Sequence, residues 1–125
     1  MVAADLIERA LAVLGEFRTS ESCVAGSAAA AILTEAGRVY TGVCIDAACG
    51  IGFCAEHAAV AEMLKARESH VALVVAVSAS GVIAPCGRCR ELLWQVDARN
   101  RDAGVVLGPT EIVPLADLLP KPWRA

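Results

Sequence analysis

Cys54-Ala55-Glu56 and Pro85-Cys86-Gly87-Arg88-Cys89 are the two stretches that decide how this chain is read. The first offers a thiol, one spacer and a carboxylate. The second offers two thiols separated by two residues, with a proline just before them. Three sulfurs and one free carboxylate are what a catalytic zinc with an open position requires, because such sites keep three protein ligands and leave the fourth place to water. Both stretches fall where a loop or strand end gives way to a helical pattern. First-turn amides and the helix dipole favour negative charge there and lower thiol pKa values. Cys86 and Cys89, three apart at a helix start, share a face, and Cys54 completes a triangle if the two helix starts converge. Pro85 suits the first of these positions, where a missing N–H is no loss.

Working outward, the pattern after Cys54 is helical to about Arg67, with Ala58, Ala61 and Met63–Leu64 placed inward. Val71 to Val77 is a valine-rich apolar run, the mark of a strand covered on both faces. Ser78 to Pro85 reads as a loop. Cys86 opens a second helix in which Cys89, Leu92, Leu93 and Val96 form one stripe and Trp94 packs. Ala103 to Leu107 is a short strand, Gly108-Pro109 breaks it, and Leu115 to Leu119 is a last helical turn. Toward the N-terminus, Ala47 to Phe53, with Cys49, Gly50 and Gly52, reads as a loop. Val39, Thr41, Val43 and Ile45 alternate as in a strand with one buried face. Thr34-Glu35-Ala36-Gly37 has turn character, so the preceding Val24–Leu33 is assigned as the partner strand, although its alanine run favours a helix by propensity. Leu6, Ala10, Val13, Leu14 and Phe17 give an amphipathic helix over roughly Ala3–Phe17. The element order implies one domain over residues 1–125, a mixed sheet with helices on both faces.

A net charge of -3 argues against a surface built for polyanions, which excludes a nucleic-acid partner and favours a small soluble substrate. Hydrophobic residues make up 57%, yet no run of ~18–20 uninterrupted apolar residues spans a bilayer, so no membrane partner is expected. Asp5, Glu8 and Arg9 interrupt the N-terminal apolar stretch, unlike a signal peptide. The six cysteines are therefore placed in a reducing cytoplasm, where thiols at ligand spacing read as ligands rather than disulfides.

Plainer readings stand beside these. Cys44 or Cys49 joining the other three thiols would make a closed, structural four-thiolate site with no room for water. Cys23, Cys44 and Cys49 otherwise read as small buried hydrophobes. His57 is equally a helix-face histidine without function, His70 a surface group at a helix end, and Arg88 and Arg90 solvated charges.

A cysteine and glutamate one residue apart, followed downstream by Pro-Cys-x-x-Cys, resembles the zinc deaminases of nucleobases and nucleosides in their three-cysteine form. The chain is similar to the cytidine deaminase family, and to its small homotetrameric branch in particular. Leu33-Thr34-Glu35-Ala36-Gly37-Arg38-Val39-Tyr40-Thr41-Gly42-Val43 resembles the family's first hairpin, and Leu118-Leu119-Pro120 with Trp123 its C-terminal end. The resemblance implies a three-layer α/β/α sandwich with a mixed five-stranded sheet, a homotetramer with active sites at subunit borders, and a place in pyrimidine salvage. It implies Zn²⁺ on Cys54, Cys86 and Cys89, with zinc-bound hydroxide attacking C4 of a cytosine nucleoside and Glu56 shuttling the proton to N3 and then to the departing ammonia. His57 and Arg90 would flank the ligands, and Cys44, Asp46, Ala55 and Trp123 would meet the substrate. The sequence departs from the family in the part that reads the sugar. Cys44-Ile45-Asp46 stands where Asn-x-Glu is usual, only small residues occupy Gly26–Ala29 where an aromatic is usual, and the Cys44–Cys54 loop is one residue shorter. Pro85–Arg90 matches the Pro-Cys-Gly-Arg-Cys-Arg run of the related blasticidin S deaminases, which makes an aminohydrolase of that kind the second expectation.

Overall fold

The computed structural model describes residues 2–123. The first helix, α1 (Ala3–Leu11), buries Ala3, Leu6 and Ala10, and the Asp5 carboxylate accepts the Val2 amide at 3.3 Å in its first turn. It ends well before the expected Phe17. The Gly15 amide is drawn instead to the carbonyl of Gly26 at 3.0 Å, and Phe17, exposed, opens β1 (Phe17–Ser20).

The alanine-rich segment is a strand, β2 (Cys23–Thr34), and it forms the expected hairpin with β3 (Val39–Ala47). At the turn the Gly37 amide donates to the Thr34 carbonyl at 2.9 Å, with Gly37 at φ +88°, which suits glycine. Helix propensity loses here because small side chains on both faces of β2 let helices lie close on either side. Ala29 and Ala31 meet α1, whereas Ala30 and Ile32 meet the opposite layer. After a 3-10 turn at Ala48–Gly50, the chain bridges back to β3 through reciprocal Ile45–Phe53 backbone bonds of 3.0 Å, and then enters α2 (Ala55–Lys65). This helix is seated directly on β3: a Cβ at Gly42 would fall 2.5 Å from the Ala59 nitrogen and 2.8 Å from the Ala55 carbonyl oxygen. The buried face is accordingly Ala55, Ala59, Val60 and Met63, while Ala61 and Leu64, expected inward, are exposed and Ala58 is half-buried.

The strand β4 (Val71–Ser78) is followed by a tight return at Gly81, φ +110°, into β5 (Gly81–Ile83) where a loop is expected. Next come α3 (Gly87–Val96), a 3-10 turn at Ala98–Asp102, β6 (Gly104–Gly108), β7 (Glu111–Pro114) and α4 (Leu115–Leu118). The strand β4 pairs antiparallel with β2 and β5, and parallel with β6 across the α3 crossover; β7 closes antiparallel on β6. The sheet is mixed and covered by α1 on one face and by α2 and α3 on the other, as expected of the three-layer sandwich. Among the described residues it has seven strands, however, not five. The strands that the residue pattern did not announce are β1, β5 and β7, of four, three and four residues, which are too short for an apolar period to show.

One buried side chain ties the α3 layer to the sheet. Asn100 accepts the Val71 amide at 2.8 Å and donates to the carbonyls of Ser69 at 3.0 Å and Leu93 at 2.9 Å.

Candidate active site

Cys54 and Cys86 are the residues immediately before α2 and α3, each with extended backbone (ψ 156° and 167°), and Cys89 lies in the first turn of α3. Seating α2 on Gly42 brings the two helix starts together. The Cys54 and Cys86 sulfurs are 3.4 Å apart, those of Cys86 and Cys89 3.5 Å apart, and all three lie within 4.8 Å of one another. All three are free thiols. Neither Cys44 nor Cys49 joins them, and among the described residues no other group of this kind gathers. Three soft donors converging with no fourth protein ligand fit a Zn²⁺ ion that keeps an open position, and do not fit the closed four-thiolate alternative.

The electrostatics of this cluster differ from the expectation that helix starts lower every thiol. Burial pushes the Cys54 and Cys89 thiols up, and at Cys89 the neighbouring Glu56 carboxylate adds to the rise. Only Cys86 falls: burial raises it, but the Cys89 and Arg88 amides, with its sulfur neighbours, bring it below its ordinary value. Bringing sulfurs and a carboxylate together out of water disfavours their charged forms, which a bound cation would reverse.

Glu56, one residue into α2, is 5% exposed, and burial raises its pKa. Its carboxylate faces the cluster from the wall of a cavity of about 480 Å³. That cavity is also lined by Cys54, Ala55, Cys86, Arg88, Cys44 and Asp46. His57 sits behind the cluster, with Nδ1 3.5 Å from the Cys89 sulfur and its ring stacked on Phe53. Burial, and then Arg88, hold it below its ordinary pKa. Arg90 turns to backbone, its Nε donating to the Pro85 carbonyl at 2.7 Å and a terminal nitrogen to that of Leu118 at 3.0 Å, so it fastens the approach to Cys86 onto α4.

The structure therefore brings Cys54, Ala55, Glu56, Cys86, Cys44 and Asp46 to one cavity, with Cys89 buried beneath. Trp123 is not among the lining residues: it is 72% exposed, and its amide donates to Glu91 at 2.9 Å. Sequence reasoning missed Ser27, Phe53 and Ile83 on the cavity wall. The Gly26-Ser27 pair inside a strand pattern is the one signal that points to Ser27, since an isolated strand glycine marks a bulge.

No family model matches the chain. Solved structures do. A cytidine deaminase from Burkholderia pseudomallei is 28% identical with a TM-score of 0.78, the match covering 98% of this chain and 100% of that one. One from Mycobacterium leprae is 26% identical, also with a TM-score of 0.78, covering 97% and 100%. One from Bacillus anthracis, at 21% identity, a TM-score of 0.72 and coverage of 96% and 88%, shares the fold. The fold they share and the three-sulfur group, which could hold a metal ion, support a hydrolytic deaminase as the class. The likeness to these neighbours supports the cytidine deaminase family for this chain. Among the described residues no helix is long and apolar enough to cross a membrane.

Proposed function

We propose that this protein is a zinc-dependent hydrolase that removes the 4-amino group of cytidine or deoxycytidine, giving uridine or deoxyuridine and ammonia. The observation that carries the reading is the gathering of three sulfurs, two of them on the wall of a single cavity of nucleoside size, beside one buried acid, Glu56, on the same wall. Zn²⁺ held by Cys54, Cys86 and Cys89 would supply Lewis acidity at the inner end of the cavity. Glu56 serves the proton transfers. It takes one proton from the attacking water, delivers it to ring N3 as the C4–O bond forms, and then carries the remaining hydroxyl proton to the amine as the C–N bond breaks, the C4 carbonyl forms and ammonia leaves. Phe53 and Ile83 supply the apolar walls that hold the base against that acid. Arg90 positions the loop carrying Cys86.

A second substrate reading, a blasticidin-type or other aminated-base deaminase, is favoured by Cys44. Its sulfur already accepts the Ala28 amide at 3.2 Å and is a poor substitute for an amide that would bind a sugar hydroxyl. Exposed apolar groups beside the cavity, Ile45, Ile51 and Phe53, together with Trp123, support a homotetramer in which a second copy covers the cavity mouth.

The test is ammonia release by zinc-loaded protein from cytidine, deoxycytidine, blasticidin S and other aminated bases, beside metal analysis. Glu56→Ala is expected to keep its zinc and to lose at least ~10²-fold in rate, the lower end for a positioned acid–base group. Retained turnover removes Glu56 from the mechanism. A zinc protein with no turnover on any member of the panel supports a structural or interaction module instead.

A further inference from the structure

The pairing of β2 with β3 is regular except between Ala25 and Ala29, whose partners are Ile45 and Val43. Three residues, Gly26, Ser27 and Ala28, thus face the single Cys44. The bulge is locked in place from behind. Gly26 has φ +82°, and a Cβ there would stand 2.1 Å from the Gly15 carbonyl oxygen, where the chain leaving α1 crosses. The consequence is a chain of directed hydrogen bonds on the cavity wall. The Ala28 amide, released from the strand ladder, donates to the Cys44 sulfur at 3.2 Å. The Ser27 hydroxyl lies 3.1 Å from that sulfur and donates to Oδ2 of Asp46 at 3.0 Å. With its only proton committed to the carboxylate, Ser27 accepts from the Cys44 thiol, so every donor in the chain has one acceptor. Among the described residues nothing donates to the other oxygen, Oδ1.

We infer that Ser27 is a positioning residue for substrate specificity: it fixes the Asp46 carboxylate so that its free oxygen accepts a hydroxyl of the sugar attached to the base. Asp46 is exposed on a strand, and among the described residues its side chain has no hydrogen-bond donor but Ser27, the Cys44 sulfur standing farther off at 3.8 Å. Without Ser27 the side chain is free to rotate and its acceptor is no longer aimed. A carboxylate in that place also disfavours a phosphate, so the sugar is expected to be unphosphorylated.

This inference rests on the proposed deaminase activity, and its test uses cytidine and 2′,3′-dideoxycytidine with the zinc-loaded wild type, Ser27→Ala, Asp46→Asn and the double variant. Ser27→Ala is expected to raise KM for cytidine about tenfold, on the order of one lost hydrogen bond to a charged group, with kcat held within about twofold. The KM for dideoxycytidine should move less than about twofold, since that sugar lacks the hydroxyls read. Asp46→Asn is expected to raise the cytidine KM at least as much, and adding Ser27→Ala to it should change little more, because both act through one oxygen. An unchanged cytidine KM in both single variants, equal losses on the two substrates, or additive losses in the double variant overturns the role of Ser27 while leaving the deaminase assignment standing. Wild-type protein that deaminates no cytosine nucleoside overturns both.

Discussion

Replacing Asn100 with alanine tests whether the layer carrying two of the three sulfurs is held to the sheet by hydrogen bonds rather than by packing alone. Asn100 is 0% exposed, and its side chain satisfies three backbone groups: the Val71 amide at the start of β4, the Ser69 carbonyl just before it, and the Leu93 carbonyl in the last turn of α3. The last of these is one of the carbonyls a helix end leaves without an intrahelical partner. Alanine leaves one buried N–H and two buried carbonyls unpaired. A buried orphan costs about 1–3 kcal/mol, and partial relaxation around a small cavity brings the sum to about 3–4 kcal/mol. Over 125 residues, an unfolding entropy of about 2.1 cal/mol/K per residue converts that into a fall in Tm of ~12–15 °C. Thermal unfolding followed by circular dichroism, with the calorimetric and van't Hoff enthalpies compared, measures it. Asn100→Leu fills the space without the polar atoms and should recover at most a minor part of the loss. A fall below ~3 °C in the alanine variant, or near-complete recovery with leucine, refutes the account. Zinc content below the transition should persist in Asn100→Ala, because Cys86 and Cys89 sit at the opposite end of α3 from Leu93.

Single replacement of Cys54, Cys86 or Cys89 by serine is expected to lower bound zinc in dialysed protein to well below one equivalent, whereas Cys23→Ser leaves it at one; metal analysis of the variants decides. Acid stability should report on Glu68, whose pKa is lowered first by the Tyr40 hydroxyl, then by the Thr34 hydroxyl, which donates at 2.7 Å, and by Arg38. A depressed carboxylate adds stability that is complete above its ordinary value of 4.5 and fades as pH falls through its lower folded value. Tyr40→Phe removes the largest cause, so its acid-unfolding midpoint should lie at higher pH than that of the wild type, with the stability difference largest toward neutrality and shrinking as pH falls through the folded value. Identical midpoints would show that the cluster does not couple to folding.

What the sequence disclosed, and what it hid, follows from how local each feature is. Ligand residues at fixed spacing are a local property, and so Cys54, Cys86 and Cys89 were legible. So was the hairpin at Thr34–Gly37, where a positive φ calls for a glycine at one position. The alanine run of β2 was legible only through its neighbour, because alanine says helix and only the pairing with β3 says strand. The end of α1 was not legible: the apolar period runs on through Phe17, but the Gly15 amide is taken by Gly26, a residue brought there by the sheet. The inward face of α2 was misplaced for a related reason. It is set by the contact with Gly42, and a Thr-Gly-Val step in a strand does not state which helix will rest on it. Ser27 was hidden most completely. An even two-residue period assigns it a face, and only the bulge turns it toward Asp46.

The same distinction bears on how the site is built. No element holds it alone: the first sulfur belongs to a helix seated on Gly42, and the other two to a helix fastened by Asn100 at one end and by Arg90 near the other. Those contacts bring groups that repel one another when charged to within 3.5 Å, and burial raises the pKa of two of the thiols and of the acid beside them. Packing in the rest of the fold has to sustain that arrangement. A divalent cation would relieve it, since it would stabilise thiolates in place of thiols and offset the negative charge that Glu56 would face. Binding the ion and stabilising the fold would then be one thermodynamic event, linked through the meeting of two helix starts. An acid next to that ion is useful because it is held there by α2 without being a ligand. The single spacer between Cys54 and Glu56 accomplishes this: it leaves the sulfur at the helix boundary and carries the carboxylate one step into the first turn, buried and turned to the cavity.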